Sequence, residues 1–316
     1  MKRSVCLISA LAFPLTVLAQ EYPTRPITLV VPYTPGTGID IIARTVGPKI
    51  SERWGQPVVV ENKPGASGNI GAAQVAKARP DGHTMMVTVN TFTMTPALYP
   101  SLQYDPIKDF TPTGRVATGS LALVAHAGLP VKDLQQLVTA AKSKELNYSS
   151  PGNGTPQHLV MELLKQRMNL NILHVPYKGA AQALTDLLGG KVQLAVLPVH
   201  TALPHAKAGK INVIAVSGER RSVLLPDAPS LAEVGLKDFD IDLYFWIAGP
   251  ARLPREIVQK WNEELASILE LAEVRQVLIN QGMVPAPSSP EVIRKLIARD
   301  IERWKKFIAQ TGIKAD

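Results

Sequence analysis

Apolar residues along most of the chain form two alternating patterns, short continuous runs and runs with helical spacing. The short runs are rich in β-branched residues, have lengths typical of strands and end at glycine, proline or polar positions. We therefore predict buried strands at residues 27–32, 58–61, 84–89, 121–125, 146–149, 173–176, 192–197 and 213–216.

The helical spacing occupies most of the intervening stretches and nearly all of the last third of the chain. It predicts helices at residues 40–53, 69–79, 131–143, 156–168, 180–188, 255–269, 272–281 and 290–308. Strands that alternate with helices are typical of α/β proteins, in which mostly parallel sheets are covered by helices on both faces.

Two less regular stretches interrupt this alternation. The proline-rich segment 96–112 and the segment 226–242 have the composition of crossings between lobes. The chain is long enough for two lobes of ordinary size. We predict a first lobe of residues 20–118 plus 241–316 and a second lobe of residues 119–240.

The N-terminus has the pattern of a secretory signal peptide. Lys2 and Arg3 precede an almost wholly apolar run at 5–18, and Val17-Leu18-Ala19 resembles a cleavage site. The alternative, a membrane anchor, needs about 20 apolar residues, and this run is shorter. Cleavage after Ala19 would leave 297 residues (316 − 19) in the periplasm. The single cysteine, Cys6, would be removed, which excludes a disulfide or thiolate site in the mature chain.

The charge of the chain argues against a nucleic-acid-binding surface. The formal net charge of +8 falls to +6 without Lys2 and Arg3, and the basic residues are scattered rather than clustered on one segment. A diffuse positive balance suits small anionic ligands and simple solubility equally. No later stretch is long and apolar enough to cross a bilayer, so we expect no direct membrane insertion after signal cleavage.

Two glycine-rich loops share one design. "VPYTPGTGID" (31–40) and "NYSSPGNGTPQHLVMELL" (147–164) each lead from a strand into a helix. The first amides of a helix lack intrahelical acceptors and carry partial positive charge, so they can bind an anion. The alternative is that both loops are ordinary turns. The candidate ligand-binding residues are Tyr33, Thr34, Gly36, Thr37, Gly38, Asp40, Ser149, Ser150, Gly152, Asn153, Gly154 and Thr155.

Signatures of catalysis and of cofactor binding are missing from the sequence. The dinucleotide-binding pattern that begins at Gly36 has Ile41 in place of its last glycine, and there is no P-loop lysine pattern. Ser67 lacks the spacing of a nucleophile elbow, and the six histidines lack metal-ligand spacing. We therefore expect no catalytic residue, metal or cofactor. His158 and His200 are candidates for ligand contact or for purely structural roles, and Asp40 for dipole stabilisation or for bracing its loop.

Four longer stretches carry a family resemblance: "RPITLVVPYTPGTGIDIIAR", "ERWGQPVVVENKPGASGNIGAAQVAKARPDGHTMMV", "SSPGNGTPQHLVMELL" and "HVPYKGAAQALTDLLGGKVQLAV". In this order they resemble the Bug family, the TctC-like extracytoplasmic solute-binding receptors of tripartite tricarboxylate transporters. The resemblance runs from about Tyr22 to the C-terminus. It implies a two-lobed periplasmic binding protein of the Venus flytrap kind (type II-like), which holds a small carboxylate between its lobes through backbone amides and waters. It also implies that Tyr177, in "VPYKG", neighbours the cleft.

The sequence departs from the family pattern at three places. Thr37 replaces the second glycine of the first loop, Leu197 stands where many members have aspartate, and Tyr244-Phe245-Trp246 replaces a Trp-x-Gly step. Loss of an acid at position 197 disfavours an amino-acid ligand, whose ammonium group would need an anion. Phe245 and Trp246 add aromatic bulk that favours a planar or aromatic carboxylate, and we include both among the candidate ligand contacts.

The leading hypothesis is a monomeric periplasmic receptor that delivers a di- or tricarboxylate or an aromatic acid to membrane permease subunits. Two other hypotheses remain open. An exported enzyme could act on a carboxylate or ester in the same cleft, or the liganded protein could be a sensing module for a signalling receptor.

Overall fold

The computed structural model describes residues 22–236 and 241–314. The proposed signal peptide lies outside the described residues. The first lobe is built on a six-stranded sheet with the order β11-β4-β10-β3-β1-β2. Its strands are β1 (Ile27–Val31), β2 (Val58–Asn62), β3 (Thr84–Val89), β4 (Phe110–Gly119), β10 (Leu243–Pro250) and β11 (Met283–Ser288).

The second lobe is built on a five-stranded sheet with the order β7-β6-β8-β5-β9. Its strands are β5 (Leu121–His126), β6 (Leu146–Ser150), β7 (Ile172–Pro176), β8 (Leu194–Pro198) and β9 (Ile211–Val216). The chain passes from the first sheet to the second through Ser120 alone, and it returns between β9 and β10. The predicted crossing at 96–112 is wrong, because Pro96 lies in a helix and Pro112 in β4 of the first sheet.

Helices follow most strands and cover both sheets. The first half of the chain has α1 (Gly38–Trp54), α2 (Asn69–Ala76), α3 (Thr91–Leu98), α4 (Leu134–Ser143) and α5 (Pro156–Met168). The second half has α6 (Ala180–Leu188), α7 (Val199–Lys207), α8 (Arg255–Leu269), α9 (Ala272–Asn280) and α10 (Pro290–Thr311). Among the described residues, no helix is both long enough and apolar enough to cross a membrane.

Both sheets are mixed, which corrects the prediction of mostly parallel sheets. The pairings of β1 with β2 and β3, and of β6 with β7 and β8, are parallel. The pairings that involve β4, β5, β10 and β11 are antiparallel. The antiparallel strands are thus those at the two chain crossings, β4 and β5 on either side of Ser120 and β10 after the return, together with the edge strand β11.

Alternate residues of β1 show how the first sheet is buried on both faces. Leu29 and Val31 belong to a core cluster formed with α1, α8 and α9, whereas Val30 belongs to a second cluster formed with α2, α3 and α10. Successive strand residues point to opposite faces, so this arrangement requires the continuous apolar run that the sequence shows.

The C-terminal helix α10 belongs to two core clusters. Ile293, Ile297 and Ile301 lie in a cluster of the first lobe, whereas Trp304 and Phe307 lie in a cluster with residues of β5, β6 and α5 in the second lobe. That second cluster also contains Met94 and Leu98 of α3, which packs against α10, so the end of α10 reaches the core of the second lobe together with α3.

Candidate functional site

A cavity of about 330 Å³ lies between the two lobes, at the small end of the range for ligand pockets. Its wall combines residues from strand ends and helix starts on both sides. The first lobe contributes Tyr33, Thr37, Gly38, Ile39, Ser67, Val89, Thr91, Gly119, Leu243, Phe245, Gln281, Gly282 and Met283. The crossing and the second lobe contribute Ser120, Pro151, Thr155, Pro156, Gln157, Ala180, Pro198 and His200.

The start of α1 forms one side of the cavity. Thr37 is the N-cap residue and its hydroxyl donates a hydrogen bond of 2.9 Å to the carbonyl of Thr34. Gly38 and Ile39 are the first helical residues, so their amides have no acceptor inside the helix. The start of α1 therefore presents donors and partial positive charge at the cavity wall.

The side chain of Asp40 holds the first loop in place through hydrogen bonds. Its buried carboxylate accepts hydrogen bonds from the Gly36 amide at 2.9 Å, from Arg44 Nε at 3.0 Å and from Asn62 Nδ2 at 2.9 Å. Burial acts to raise the pKa of Asp40, but these hydrogen bonds, led by that of Arg44, outweigh it and lower the pKa. Asp40 is thus a fixed anion that holds the loop, and the Gly36 amide is occupied by it.

The start of α5 forms the opposing side. Thr155 is the N-cap residue, and its hydroxyl oxygen accepts from the His158 amide. Pro156 occupies the first helical position, which needs no donor. The amide of Gln157, the second helical residue, has no acceptor inside the helix and belongs to a residue that lines the cavity.

His158 is the third residue of α5, as Asp40 is the third residue of α1, and it plays the same part in the second loop. Its Nδ1 accepts a hydrogen bond of 3.0 Å from the Gly154 amide. The buried imidazole also stacks on His174, with ring centroids 3.9 Å apart. His158 is therefore a brace of the loop, and it does not line the cavity.

A third loop, between β2 and α2, reaches the cavity through Ser67. Ser67 has a φ of 54°, a left-handed conformation that is uncommon for residues other than glycine. Its carbonyl accepts a hydrogen bond from the Tyr33 hydroxyl at 3.2 Å, and its hydroxyl lies 2.9 Å from that of Tyr99. These contacts fix a strained turn beside the first helix start, where strain is common in functional sites.

His200 connects the two lobes. A Cβ atom at position 282 would lie 3.1 Å from the His200 backbone nitrogen, so any residue other than glycine would crowd this approach. Gly282 also has a φ of 68°, which favours glycine. Burial lowers the pKa of His200, and a hydrogen bond with the backbone of Gln281 only partly opposes this effect. His200 is thus favoured in its neutral form at the cavity.

The remaining wall is largely apolar, formed by side chains such as Val89, Leu243, Phe245 and Met283. Of the described residues that line the cavity, none is Asp, Glu, Lys or Arg. Within the described ranges, no group of three or more His, Cys, Asp or Glu residues could hold a metal ion. The arrangement offers backbone donors, hydroxyls and one imidazole to a ligand beside an apolar surface.

Comparisons with known proteins agree with this architecture. Residues 42–313 match the family described as "Tripartite tricarboxylate transporter family receptor" (TctC). This chain belongs to that family. Protein BugT of Bordetella pertussis is 32% identical over 302 residues, which are 94% of this chain and 93% of BugT.

Two solved structures of TctC-like proteins are similar over most of the chain. "R. palustris Rpa4515 with adipate" has a TM-score of 0.82 and 34% identity, with 93% of this chain and 99% of that chain covered. The periplasmic binding protein BugD has a TM-score of 0.79 and 29% identity, with 93% of this chain and 100% of that chain covered. This TctC-family chain therefore has the two-lobed fold of periplasmic binding proteins and belongs to the class of solute-binding receptors.

The structure brings only part of the proposed ligand residues of this TctC-family receptor to the cavity wall. Those that line it are Tyr33, Thr37, Gly38, Thr155, His200 and Phe245. Ser149 lines an adjoining pocket. Those that do not line the cavity are Thr34, Gly36, Asp40, Ser150, Gly152, Asn153, Gly154, His158, Tyr177 and Trp246.

Trp246 and Tyr177 show why some proposed contacts are not at the wall. Trp246 is the strand neighbour of Phe245, and successive residues of β10 point to opposite faces. It is buried in a core cluster, 6.0 Å from the Phe92 ring centroid. The Tyr177 hydroxyl donates to Asp186 at 2.9 Å, and this hydrogen bond holds it within the second lobe.

Several wall residues of this TctC-family chain were absent from the sequence proposal. Ile39 directly follows the proposed Gly38, and Gln157 directly precedes the proposed His158, so the helix-start argument itself could have included both. Ser67 lies in one of the stretches that carry the family resemblance. Gln281, Gly282 and Met283 precede or begin a strand whose two prolines hide its pattern. No sequence signal was present for Val89, Gly119 or Leu243.

Proposed function

We propose that this TctC-family chain is a periplasmic receptor that captures a small organic carboxylate between its lobes and delivers it to membrane permease subunits. The observation that carries the proposal is the convergence of two helix starts, α1 and α5, on one cavity without a charged wall residue. Main-chain amides would then replace a basic side chain in holding the acid. Adipate, named with Rpa4515, is consistent with such a ligand.

The energetics of this proposal are reasonable. Micromolar affinity corresponds to about 8 kcal/mol. Hydrogen bonds to a charged group contribute about 1.5–3 kcal/mol each. About four of them, from the amides of Gly38, Ile39 and Gln157 and from a wall hydroxyl such as that of Ser120, would supply about 6–12 kcal/mol, a range that includes this amount.

Several finer statements belong to the same proposal. We propose that residues 1–19 are a signal peptide cleaved after Ala19 and that the mature protein is a monomer. We propose lobe boundaries at 20–118 plus 241–316 and at 119–240. The periplasmic location is supported by BugD, a periplasmic binding protein. Membership of a family of transporter receptors supports the proposal that this chain is a receptor rather than an enzyme.

Binding is tested by isothermal titration calorimetry with adipate, hexanoate and benzoate. At least one of these acids should bind with micromolar affinity, and the bound acid should be recovered unchanged after denaturation. Recovery of a converted product would support an enzyme instead. Absence of binding by all three acids would overturn the carboxylate proposal.

The role of the α5 start is tested by Gln157→Glu, with Gln135→Glu as the matched control. Both glutamines are the second residue of a helix, but only Gln157 lines the cavity. Two like charges about 4 Å apart repel each other by about 1–4 kcal/mol. Gln157→Glu should therefore weaken acid binding at least tenfold, with no change for Gln135→Glu. Equal affinities in the two variants would contradict the proposed role of α5.

A further inference from the structure

Among the described residues that line the cavity, one side chain can gain a positive charge near neutral pH, the imidazole of His200. The wall has no Asp, Glu, Lys or Arg within the described ranges, and the Tyr33 hydroxyl can only lose a proton. Burial raises the pKa of Tyr33, so this hydroxyl stays neutral. The charge of the described wall therefore depends on the protonation of His200.

His200 lies where the two lobes meet. It belongs to α7 of the second lobe, and its backbone nitrogen is close to Gly282, in the connection between α9 and β11 of the first lobe. The imidazole also forms a hydrogen bond with the backbone of Gln281 in the same connection. This contact occupies one of the two ring nitrogens and leaves the other for a ligand in the cavity.

The neutral and protonated forms of this ring offer different groups to a ligand. The contact with Gln281 raises the pKa of His200, so the ring acts there as a donor, and in the neutral form its second nitrogen is then an acceptor. A carboxylate only accepts hydrogen bonds, so it gains none from this nitrogen. Protonation makes the second nitrogen a donor and adds a positive charge, and both changes favour binding of a carboxylate.

The surroundings of His200 contain no described acid that competes with a ligand for the protonated ring. The causes that shift the pKa of His200 are burial and the Gln281 backbone, without a contribution from a charged side chain. Asp40, behind the start of α1, is paired with Arg44. Strands β5, β8 and β9 pack against α7. The titratable groups of these strands, of α7 itself and of α9 all lie outside the cavity wall: His126, His205, Lys207, Glu273 and Arg275.

We propose that His200 binds the ionised acid as an imidazolium, so that capture of one acid molecule takes up one proton. This inference rests on the proposed function, because the acid must bind in the cavity. The proton passes from water to the second ring nitrogen, and the carboxylate stays ionised. Burial lowers the pKa of His200 in the free protein, whereas an opposite charge within about 4–6 Å favours the charged form, so the bound acid raises this pKa.

The first test measures affinity at several pH values by isothermal titration calorimetry, with whichever of adipate, hexanoate and benzoate binds most tightly. Affinity should rise about tenfold as the pH falls from about 8 to about 5.5, because a rise of one unit in the pKa of the complex corresponds to a tenfold change in affinity. The affinity should rise as the pH falls through the pKa of His200 in the complex and level off below that of the free protein.

Two matched variants identify the group that takes up the proton. His200→Gln keeps a hydrogen-bonding side chain that cannot become charged, and His205→Gln changes a histidine of the same helix that does not line the cavity. The titration of the acid itself is common to all three proteins. His200→Gln should reduce the rise in affinity to less than twofold, and His205→Gln should leave it unchanged. The same rise in wild type and His200→Gln would overturn the inference.

The second test needs no variant to fold. Nuclear magnetic resonance follows the His200 ring of the wild-type protein over the same pH range, with and without the acid. The pKa of His200 should lie below its ordinary value of 6.5 in the free protein, and its acid dissociation constant should fall at least tenfold in the complex. An unchanged pKa would overturn proton uptake but leave the carboxylate receptor intact. Failure of all three acids to bind would overturn both proposals.

Discussion

The two loops that begin α1 and α5 have the same design but are braced by different chemistry. Asp40, a carboxylate, accepts the Gly36 amide in the first loop, and His158, an imidazole, accepts the Gly154 amide in the second. In both loops a side chain within the first turns of the helix occupies a glycine amide. The amides left for a ligand therefore belong to the first helical residues rather than to the loop glycines Gly36 and Gly154.

The difference in charge has a further consequence. Asp40 lies in the first turn of α1, where its negative charge offsets the partial positive charge of the helix start, although Arg44 neutralises part of it. No acidic residue lies in the first turn of α5. We therefore expect α5 to attract an anion more strongly than α1, and the first loop to depend more on charge for its own stability.

The largest effect is expected from Asp40→Ala. It leaves the Gly36 amide and Asn62 without their acceptor, and buried donors left unsatisfied cost about 1–3 kcal/mol each. The free energy of unfolding should fall by about 3 kcal/mol in urea denaturation. Arg44→Ala is the control, because it removes an exposed partner and should cost less than about 1 kcal/mol. Similar losses in both variants would contradict the bracing role of Asp40.

A smaller effect is expected from His158→Ala. The variant removes one neutral hydrogen bond and the stack on His174, so the free energy of unfolding should fall by about 2 kcal/mol. The Gly154 amide should also exchange its hydrogen faster, as measured by hydrogen–deuterium exchange. Unchanged protection of that amide would show that His158 does not brace the second loop.

The smallest effect on the free energy of unfolding is expected from Asp40→Asn. Its pH dependence distinguishes the contribution of the Asp40 charge from that of its hydrogen-bond geometry. Asp40→Asn keeps an acceptor but removes the charge, and should cost about 1 kcal/mol at pH 7. Because the pKa of Asp40 is lowered from its ordinary value of 3.8, its charge stabilises the fold above that value. This stability is lost as the pH falls through the lowered pKa. The difference between wild type and Asp40→Asn in urea denaturation should therefore shrink in strong acid, and a constant difference would contradict it.

Sequence patterns predicted the elements whose apolar periodicity is uninterrupted. The strand Thr84–Val89 and the helices Pro156–Met168, Ala180–Leu188 and Arg255–Leu269 have the predicted bounds.

Most elements with internal prolines were missed, although α1, which contains Pro48, was predicted. Helix α3 contains Pro96, helix α7 contains Pro204, and strand β11 contains Pro285 and Pro287. Proline is tolerated in β11 because this strand lies at the edge of its sheet. Local rules treat such prolines as breaks, whereas the folded protein accommodates them through position in the sheet or helix.

Within the candidate site, the sequence indicated the two helix starts that line the cavity, because local patterns define them. The two helix starts could be located from their glycines. The sequence did not show which of Phe245 and Trp246 points toward the cavity, because strand β10 itself was not predicted. The role of His158 behind its loop and the approach of Gly282 to His200 depend on contacts between residues far apart in sequence. Periodicity carries no information about such contacts.

The helix α10, which is shared by both cores, constrains the mechanics of the receptor. Its 22 residues form a helix about 33 Å long, with Ile293, Ile297 and Ile301 in a core cluster of the first lobe and Trp304 and Phe307 in a cluster that α3 shares with the second lobe. Moving the lobes straight apart would expose apolar side chains in one of these clusters to water. A rotation of the lobes about the helix axis would keep the side chains of both clusters buried. We therefore expect the lobes to open and close by rotation about the axis of α10 rather than by moving apart in a straight line.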